Sequence, residues 1–327
     1  MKKTFALLAA LCLLLTMVSI PAFADELTTV NVAYMPNYAS LWSVVAADRS
    51  GAFAEQGIKI NLVEFADGPT IIAAMESGSI DLGYIGPGAH KLAINGRCKI
   101  FSFSQMGNAD ALLALKSKGI ETAADLKGKK VGYSAGTSSE MILKYTLEDA
   151  GLAWEDIVPF EMDASSLVTA TISGALDACA CWSPSTTTIK NELGDDIIEL
   201  SNNMTFADRA ASVASWIVMD KYYQANTELV AKFTKALYAG MDYALANTAE
   251  NAKWVAEQCA VEVSTVEAQL GDGNWLTSEQ LVAIAKDGTM AGYYKTQQDG
   301  FIASGAVEKE VPVEEYVIFD NMIKAGE

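Results

Sequence analysis

From Val30 onward the chain switches repeatedly between two periods. Apolar and polar residues alternate over 30–34, which predicts a strand, and Met35-Pro36-Asn37 breaks it. Over 40–50, Leu41, Val44 and Val45 fall at helical spacing, and Gly51 supplies a stop. A second strand is expected over 58–65. Gly68-Pro69-Thr70 then opens a helix, with proline suited to its first turn, and Gly78 closes it. Strand 80–84 runs into the turn Gly86-Pro87-Gly88, followed by a short helix over 89–95. Further strands are expected at 101–103, 111–115, 130–133 and 176–182. Helices are expected near Thr122 and Asp125, from Ser138 to Ala150, and over 165–173. Thr137 with Glu140 three residues later forms a capping box. After Ala225 long helical patterns dominate, at 228–246, 249–259, 278–286 and 313–324.

Strand, helix and strand at this spacing predict an α/β fold with mainly parallel sheets. No internal repeat and no low-complexity linker occurs. The 327 residues suit two domains of roughly 150 residues each. A two-lobed chain without a linker is expected to cross between its lobes through strands.

The first residues follow a different rule. Met1-Lys2-Lys3, an apolar run over 5–18 and Pro21-Ala22-Phe23-Ala24 have the layout of a secretory signal peptide cut after Ala24. The run is shorter than the roughly 20 residues that a membrane-spanning helix needs. Residues 1–24 are therefore assigned to the signal and the protein to export. Four cysteines remain in the mature chain. Cys179 and Cys181 lie too close together on one strand for an unstrained bridge, so buried free thiols are expected, with a Cys98–Cys259 bridge as the alternative.

Charge narrows the function. The chain has 41 acidic and 23 basic residues, a formal net charge of -18. Such a surface repels phosphates, which argues against a nucleic-acid partner. A single histidine, His90, excludes multi-histidine metal sites, and Cys179 and Cys181 lack partners for one, so neither a metal nor a cofactor is expected. There is no Gly-x-Ser-x-Gly elbow, Walker loop or Gly-x-Gly-x-x-Gly fingerprint. His90 offers acid–base chemistry, or merely a side chain near the surface at a helix start. Two glycine-marked loops precede helices, at Gly68-Pro69-Thr70 and Gly136-Thr137-Ser138-Ser139. Helix N-termini carry unpaired N–H groups and partial positive charge, so two of them facing a cleft can hold a small anion, although each is also an ordinary cap. Tyr34, Tyr38, Tyr84 and Trp182 lie near strand ends, where ligand pockets of α/β proteins form.

These segments together resemble a known family. They include Gly51-Ala52-Phe53, Glu64-Phe65-Ala66-Asp67-Gly68-Pro69, Gly78-Ser79-Ile80-Asp81-Leu82-Gly83 and Asp125-Leu126-Lys127-Gly128-Lys129-Lys130-Val131. Gly136-Thr137-Ser138, Gly174-Ala175-Leu176-Asp177-Ala178 and Trp182-Ser183-Pro184 follow in order. The chain resembles the solute-binding proteins of ABC importers for sulfonates, taurine, nitrate and thiamine-pyrimidine precursors. The resemblance implies a bilobed type II periplasmic-binding-protein fold, with two α/β lobes joined by a hinge. Lobe one is expected at 25–112 and 216–327 and lobe two at 113–215, with crossings near 108–111 and 212–216. It also implies a monomeric, non-enzymatic periplasmic or surface-associated receptor. Such a receptor holds a small-molecule ligand between its lobes and hands it to an inner-membrane ABC permease. Family contacts carry over to Tyr34, Asn37 and Tyr38, to Gly68, Pro69 and Thr70, to Tyr84, Gly86 and Pro87, to Thr137, Ser138 and Ser139, and to Trp182. A small organic anion is the first ligand class implied and an aromatic heterocyclic precursor the second. Ser183 stands where sulfonate and taurine binders commonly carry an acid, which weakens the case for taurine. A pyrimidine-synthase-like enzyme acting through His90 and an inert scaffold are the remaining alternatives.

Overall fold

The computed structural model describes residues 27–327, so the signal-peptide assignment lies outside the described residues. The chain starts with β1 (Thr28–Tyr34), α1 (Tyr38–Arg49), α2 (Ala52–Glu55) and β2 (Ile58–Glu64). It continues with α3 (Gly68–Glu76), β3 (Leu82–Ile85), α4 (His90–Ile94) and β4 (Lys99–Gly107). The second lobe holds β5 (Ala111–Leu115), β6 (Lys130–Tyr133), α5 (Ser138–Asp149) and β7 (Val158–Glu161). α6 (Ala164–Ile172), β8 (Ala178–Cys181), α7 (Ser185–Leu193) and β9 (Ile197–Asn202) complete it. The chain returns through β10 (Val213–Val218) to α8 (Asp220–Ala225), α9 (Thr227–Ala246), α10 (Thr248–Cys259) and α11 (Val263–Glu267). It ends with β11 (Gly273–Asn274), α12 (Ser278–Lys286), α13 (Thr289–Ala303), α14 (Val313–Tyr316) and α15 (Phe319–Ala325).

Two sheets result. One has the order β11-β4-β10-β3-β1-β2 and the other β7-β6-β8-β5-β9. The expectation of mainly parallel sheets needs correction. β1 pairs in parallel with β2 and β3, and β6 with β7 and β8, but every pairing of β10 or β5 is antiparallel. These are the strands that carry the chain into and out of the second lobe. A strand arriving from the other lobe enters its sheet from the far end, and so opposes the strands laid down by strand–helix–strand crossovers. Sheet membership also moves the changeovers. A boundary at 112/113 cuts β5 and one at 215/216 cuts β10, whereas the segments between sheets are 108–110 and 203–212.

The expected 313–324 helix is interrupted. Val317 is extended, bridges Ile100 of β4, and the Ile318 N–H donates to the Ile100 carbonyl at 2.8 Å. An apolar stretch with helical spacing is here drawn to an open sheet edge. The four cysteines among the described residues are free; Cys98, Cys179 and Cys181 are buried, in line with the expectation of buried free thiols, while Cys259 is only partly buried and does not bridge Cys98. Among the described residues no helix is long and apolar enough to cross a membrane.

α1 is the hub of the first lobe's core. Its face toward β4 buries Trp42, whose indole N–H donates to Ser104 Oγ at 3.3 Å. Its other face meets α9 at unusually close range. A Cβ at Gly240 would lie 2.2 Å from the Ser43 carbonyl oxygen and 2.7 Å from the Ala47 nitrogen. Both are backbone atoms and cannot swing away. Gly240→Ala is therefore expected to cost about 1–3 kcal/mol by overpacking, even though alanine favours a helix by about 1 kcal/mol over glycine. Urea unfolding checks this, and an unchanged midpoint would show that the two helices separate freely.

Candidate functional site

A cleft lies between the two lobes. The first lobe lines it with Met35, Asn37 and Ala39 after β1, Gly68 and Pro69 at the start of α3, and Tyr84, Gly86 and Pro87 at the end of β3. Gln105 and Gly107 of β4 add to that side, as do Gln269 and Asp272 between α11 and β11. The second lobe contributes Thr137 and Ser138 at the start of α5, and Trp182 and Ser183 after β8. Ala109 and Asp110, in the first crossing, form part of the lining.

Of the sequence-derived site residues, Asn37, Gly68, Pro69, Tyr84, Gly86, Pro87, Thr137, Ser138 and Trp182 come together on this lining. Four others do not, and each has a structural partner instead. The Tyr34 hydroxyl accepts from Gln258 at 3.0 Å in a buried corner. Tyr38 is buried edge-on against Trp275, with ring centroids 5.2 Å apart. Thr70 is exposed, and its hydroxyl donates to the Asp67 carbonyl at 2.8 Å. Ser139 is fully buried, donating to the Ala180 carbonyl at 2.6 Å and accepting from the Ser134 N–H, so it fastens α5 to β8. Hydroxyls at helix starts serve the backbone as readily as a ligand, and spacing alone does not separate the two uses.

The hydroxyls that do reach the cleft are also engaged. Thr137 Oγ1 donates to the Ser134 carbonyl at 2.7 Å and accepts from the Ser139 N–H. Ser138 Oγ donates to Asp110 Oδ1. Several of the backbone donors around the two helix starts are likewise engaged. Asp67 caps the Thr70 N–H at 2.8 Å, and Glu140 takes the Gly136 N–H at 2.7 Å. Gly88 of the first lobe lies directly over the start of α5, where a Cβ would fall 2.0 Å from Thr137 C and 2.2 Å from Ser138 N. Only glycine permits that approach.

Asp110 is the centre of the hinge. Its own N–H donates to Asn203 Oδ1 at 2.7 Å, and Asn203 Nδ2 donates to Asp110 Oδ2 at 2.9 Å and to Ser212 Oγ at 2.8 Å. Asn203 and Ser212 belong to the second crossing, so one buried carboxylate ties both crossings to α5. Burial pushes its pKa up, while the Ser138 and Asn203 hydrogen bonds oppose that rise. Asp272 is also pushed up by burial, with the charge of Asp110 adding to the effect and the neighbouring Ser183 hydroxyl opposing it. Among the described residues, Gln105 Oε1 on the lining has no hydrogen-bond partner, and the buried Ser183 Oγ and Asp272 Oδ2 have only each other nearby, short of a well-formed bond. Gln105 spends its Nε2 on the Tyr84 hydroxyl at 2.6 Å. Asp110 was reachable from sequence only as an acid inside a crossing segment. Gln105, Gln269 and Asp272 carried no local signal, because the lining that gives them meaning comes from distant parts of the chain.

Farther along the interface an ion pair links the lobes. Lys91 of α4 meets Glu140 of α5 at 3.2 Å, and Lys144 meets the same carboxylate at 2.5 Å. Burial opposes ionisation of Glu140, but the Lys144 hydrogen bond, the Gly136 N–H and the Lys91 charge together hold its pKa at about 2.

Trp182 is partly buried on the lining and packs into neither lobe's hydrophobic core. Trp42 and Trp216, by contrast, are fully buried.

The expectation of a surface histidine is corrected. His90 is fully buried. Its Nδ1 lies 3.1 Å from the Gly86 carbonyl and 3.2 Å from that of Pro87, and therefore carries the proton. Nε2 then accepts from Ser215 Oγ at 2.9 Å, and Ser215 in turn lies 2.7 Å from the Tyr294 hydroxyl. The imidazole thus pins the Gly86-Pro87 wall of the cleft from behind.

Comparison with known proteins fits this arrangement. The NMT1/THI5 like family model matches residues 39–251. A Brucella abortus relative, named as a binding protein without a stated ligand, is 30% identical over 98% of each chain. The taurine-binding periplasmic protein of Escherichia coli is 23% identical over 83% of this chain and 85% of its own. The alkanesulfonate-binding protein of Xanthomonas axonopodis pv. citri, solved with MOPS bound, superposes with a TM-score of 0.69 at 22% identity, covering 89% of this chain and 98% of that one. The chain belongs to the NMT1/THI5-like family and has the bilobed periplasmic-binding-protein fold.

The buried imidazole makes a pH prediction. Burial lowers the His90 pKa from 6.5 to about 4 in the folded chain, against the opposing Pro87 and Gly86 hydrogen bonds. Between those values the unfolded chain binds a proton that the folded chain refuses. This contribution is fully present above pH 6.5 and is lost as pH falls toward 4, by about 3 kcal/mol in total. Denaturation of wild type and His90→Asn across this range checks it. The destabilisation caused by the substitution should shrink as pH falls, and a pH-independent difference would show that the folded imidazole protonates freely.

Proposed function

We propose that this NMT1/THI5-like protein is the exported solute receptor of an ABC importer. It captures a small organic solute between its lobes and presents it to an inner-membrane permease. The observation that carries this reading is the cleft itself: both lobes and a crossing segment line one space, and Trp182 stands on it outside either hydrophobic core. Two lobes joined by two short crossings form the hinge architecture of ligand-driven closure. The relatives named for binding taurine and alkanesulfonate support the same role. A catalytic use of His90 does not fit, because the ring is buried and both of its nitrogens are engaged. A solved desulfurization enzyme shares the fold at 16% identity, which speaks to architecture and not to chemistry.

Between the two ligand classes implied by the family resemblance, the cleft favours the aromatic heterocycle over the bare anion. Among the described residues its lining holds no lysine, arginine or histidine. It offers instead the large flat ring of Trp182, the Met35 side chain and side-chain acceptors. A planar solute on Trp182 gains apolar contact at little entropic cost.

A thermal-shift screen of the chain from Asp25 onward against pyrimidines, aromatic acids, amines, sulfonates and nitrate tests the receptor role. A true ligand at 100 times its dissociation constant should stabilise by about 2.7 kcal/mol, and stabilisation by none of them would defeat it. With a solute so found, Trp182→Ala should lower affinity at least tenfold, about 1.4 kcal/mol, and leave the denaturation midpoint nearly unchanged. Truncating a core tryptophan would instead cost about 3–5 kcal/mol of folding stability.

A further inference from the structure

Resting on the receptor reading, we infer that the floor of the cleft is a subsite for the positively charged group of an organic cation, an ammonium or amidinium, held between Asp110 and Asp272. The first reason is charge. Two carboxylates line the same small space and feel each other, and no basic side chain among the described lining residues neutralises them. Lys190, whose charge reaches Asp272, is itself held by Glu199 at 2.6 Å. Taking carboxylates out of water costs several kcal/mol unless they are paired. Asp110 receives two side-chain hydrogen bonds from neutral groups and no cation.

The second reason is independent of charge. Gln105 is 1% exposed and lines the cleft, and its Oε1 has no partner among the described residues. The buried Asp272 Oδ2 on the same lining has only the neutral Ser183 hydroxyl beside it. Buried polar atoms almost always find a partner, so Gln105 Oε1 and the Asp272 carboxylate mark the place of groups that a ligand supplies. A carboxylate only accepts when ionised. An ammonium carries three donors, and an amidinium presents a planar pair of N–H groups, which suits a carboxylate. The chain's net charge of -18 adds a field that draws cations toward the cleft. The remainder of the ligand lies toward Trp182. The anionic alternative has less support, since the Thr70, Ser139 and Gly136 N–H groups are taken by Asp67, Thr137 and Glu140 and the Ser138 N–H lies under Gly88.

Calorimetric titration with four probes of one ring size tests this: benzamidinium, benzylammonium, benzyl alcohol and benzenesulfonate. The cations should bind at least tenfold more tightly than the alcohol, and benzenesulfonate should bind least. Asp272→Asn keeps the side chain's shape and leaves the hinge bonds of Asp110 untouched. It should keep the wild-type unfolding midpoint and lose at least tenfold in cation affinity while leaving benzyl alcohol unaffected. Asp110→Asn should also lose cation affinity, but with a lowered midpoint because it loosens the hinge. Benzenesulfonate binding as tightly as the cations, no cation binding, or cation affinity unaltered in Asp272→Asn would each overturn the subsite. The receptor role would survive any of these results so long as some solute of the wider screen stabilises the chain, and it falls only if none does.

Discussion

A single buried carboxylate holds the two halves of this molecule in register. Asp110 sits in the first crossing, is bonded to Asn203 in the second, and receives the hydroxyl of Ser138 from the first turn of α5. Asn203 extends the same network to Ser212, just before β10. An ionised group removed from water persists only where hydrogen bonds replace its hydration. The donors here come from the second crossing and from the second lobe, so displacing either leaves a buried carboxylate under-solvated. That makes the hinge a defined joint and not a loose pair of linkers. It also places the joint's central carboxylate on the lining of the cleft.

The surroundings of the joint follow from how the chain passes through it. Because β5 and β10 enter their sheets from the opposite lobe, they lie antiparallel to their neighbours and deep within each sheet. The first crossing is therefore anchored on buried strands on each side, and the second runs from the edge strand β9 into the buried β10. The two lobes then approach at backbone distance where Gly88 covers the start of α5, and at side-chain distance where Lys91 meets Glu140. The close approach covers part of the helix start of α5. What remains facing the cleft is acceptor-rich, with an aromatic ring on one side. Proteins that share one scaffold bind different solutes for this kind of local reason, since the scaffold fixes where a ligand goes and the lining fixes which one.

The sequence was most informative where the chemistry is local. The cap at Thr137, the proline-bearing opening at Gly68-Pro69-Thr70 and the stop at Gly51 placed helix starts and ends to within a few residues, because each such signal acts within one turn. The α/β class and the mixture of elements were legible for the same reason, and the ordered set of short segments carried the family. Trp182 was legible as a wall because an apolar strand ending at a serine–proline turn must deliver its last ring to the sheet's edge. The interrupted stretch at Val317 was not, because its helical spacing is intact and the competing bridge to Ile100 lies more than two hundred residues away along the chain.

The sequence by itself thus determined the local elements, the two-lobed class and the neighbourhood of the cleft, since each depends on residues a few positions apart. The tertiary structure decided strand direction, the role of each hydroxyl and the character of the lining. Ser138 and Ser139 are adjacent and chemically identical, yet one donates to the hinge carboxylate and the other to a strand carbonyl. Asp110 and Asp272 share one space although 161 positions separate them in the chain. Hydrogen bonding and Coulomb interactions depend on distance in space, and for residues so far apart along the chain that distance exists only once the lobes have folded and met.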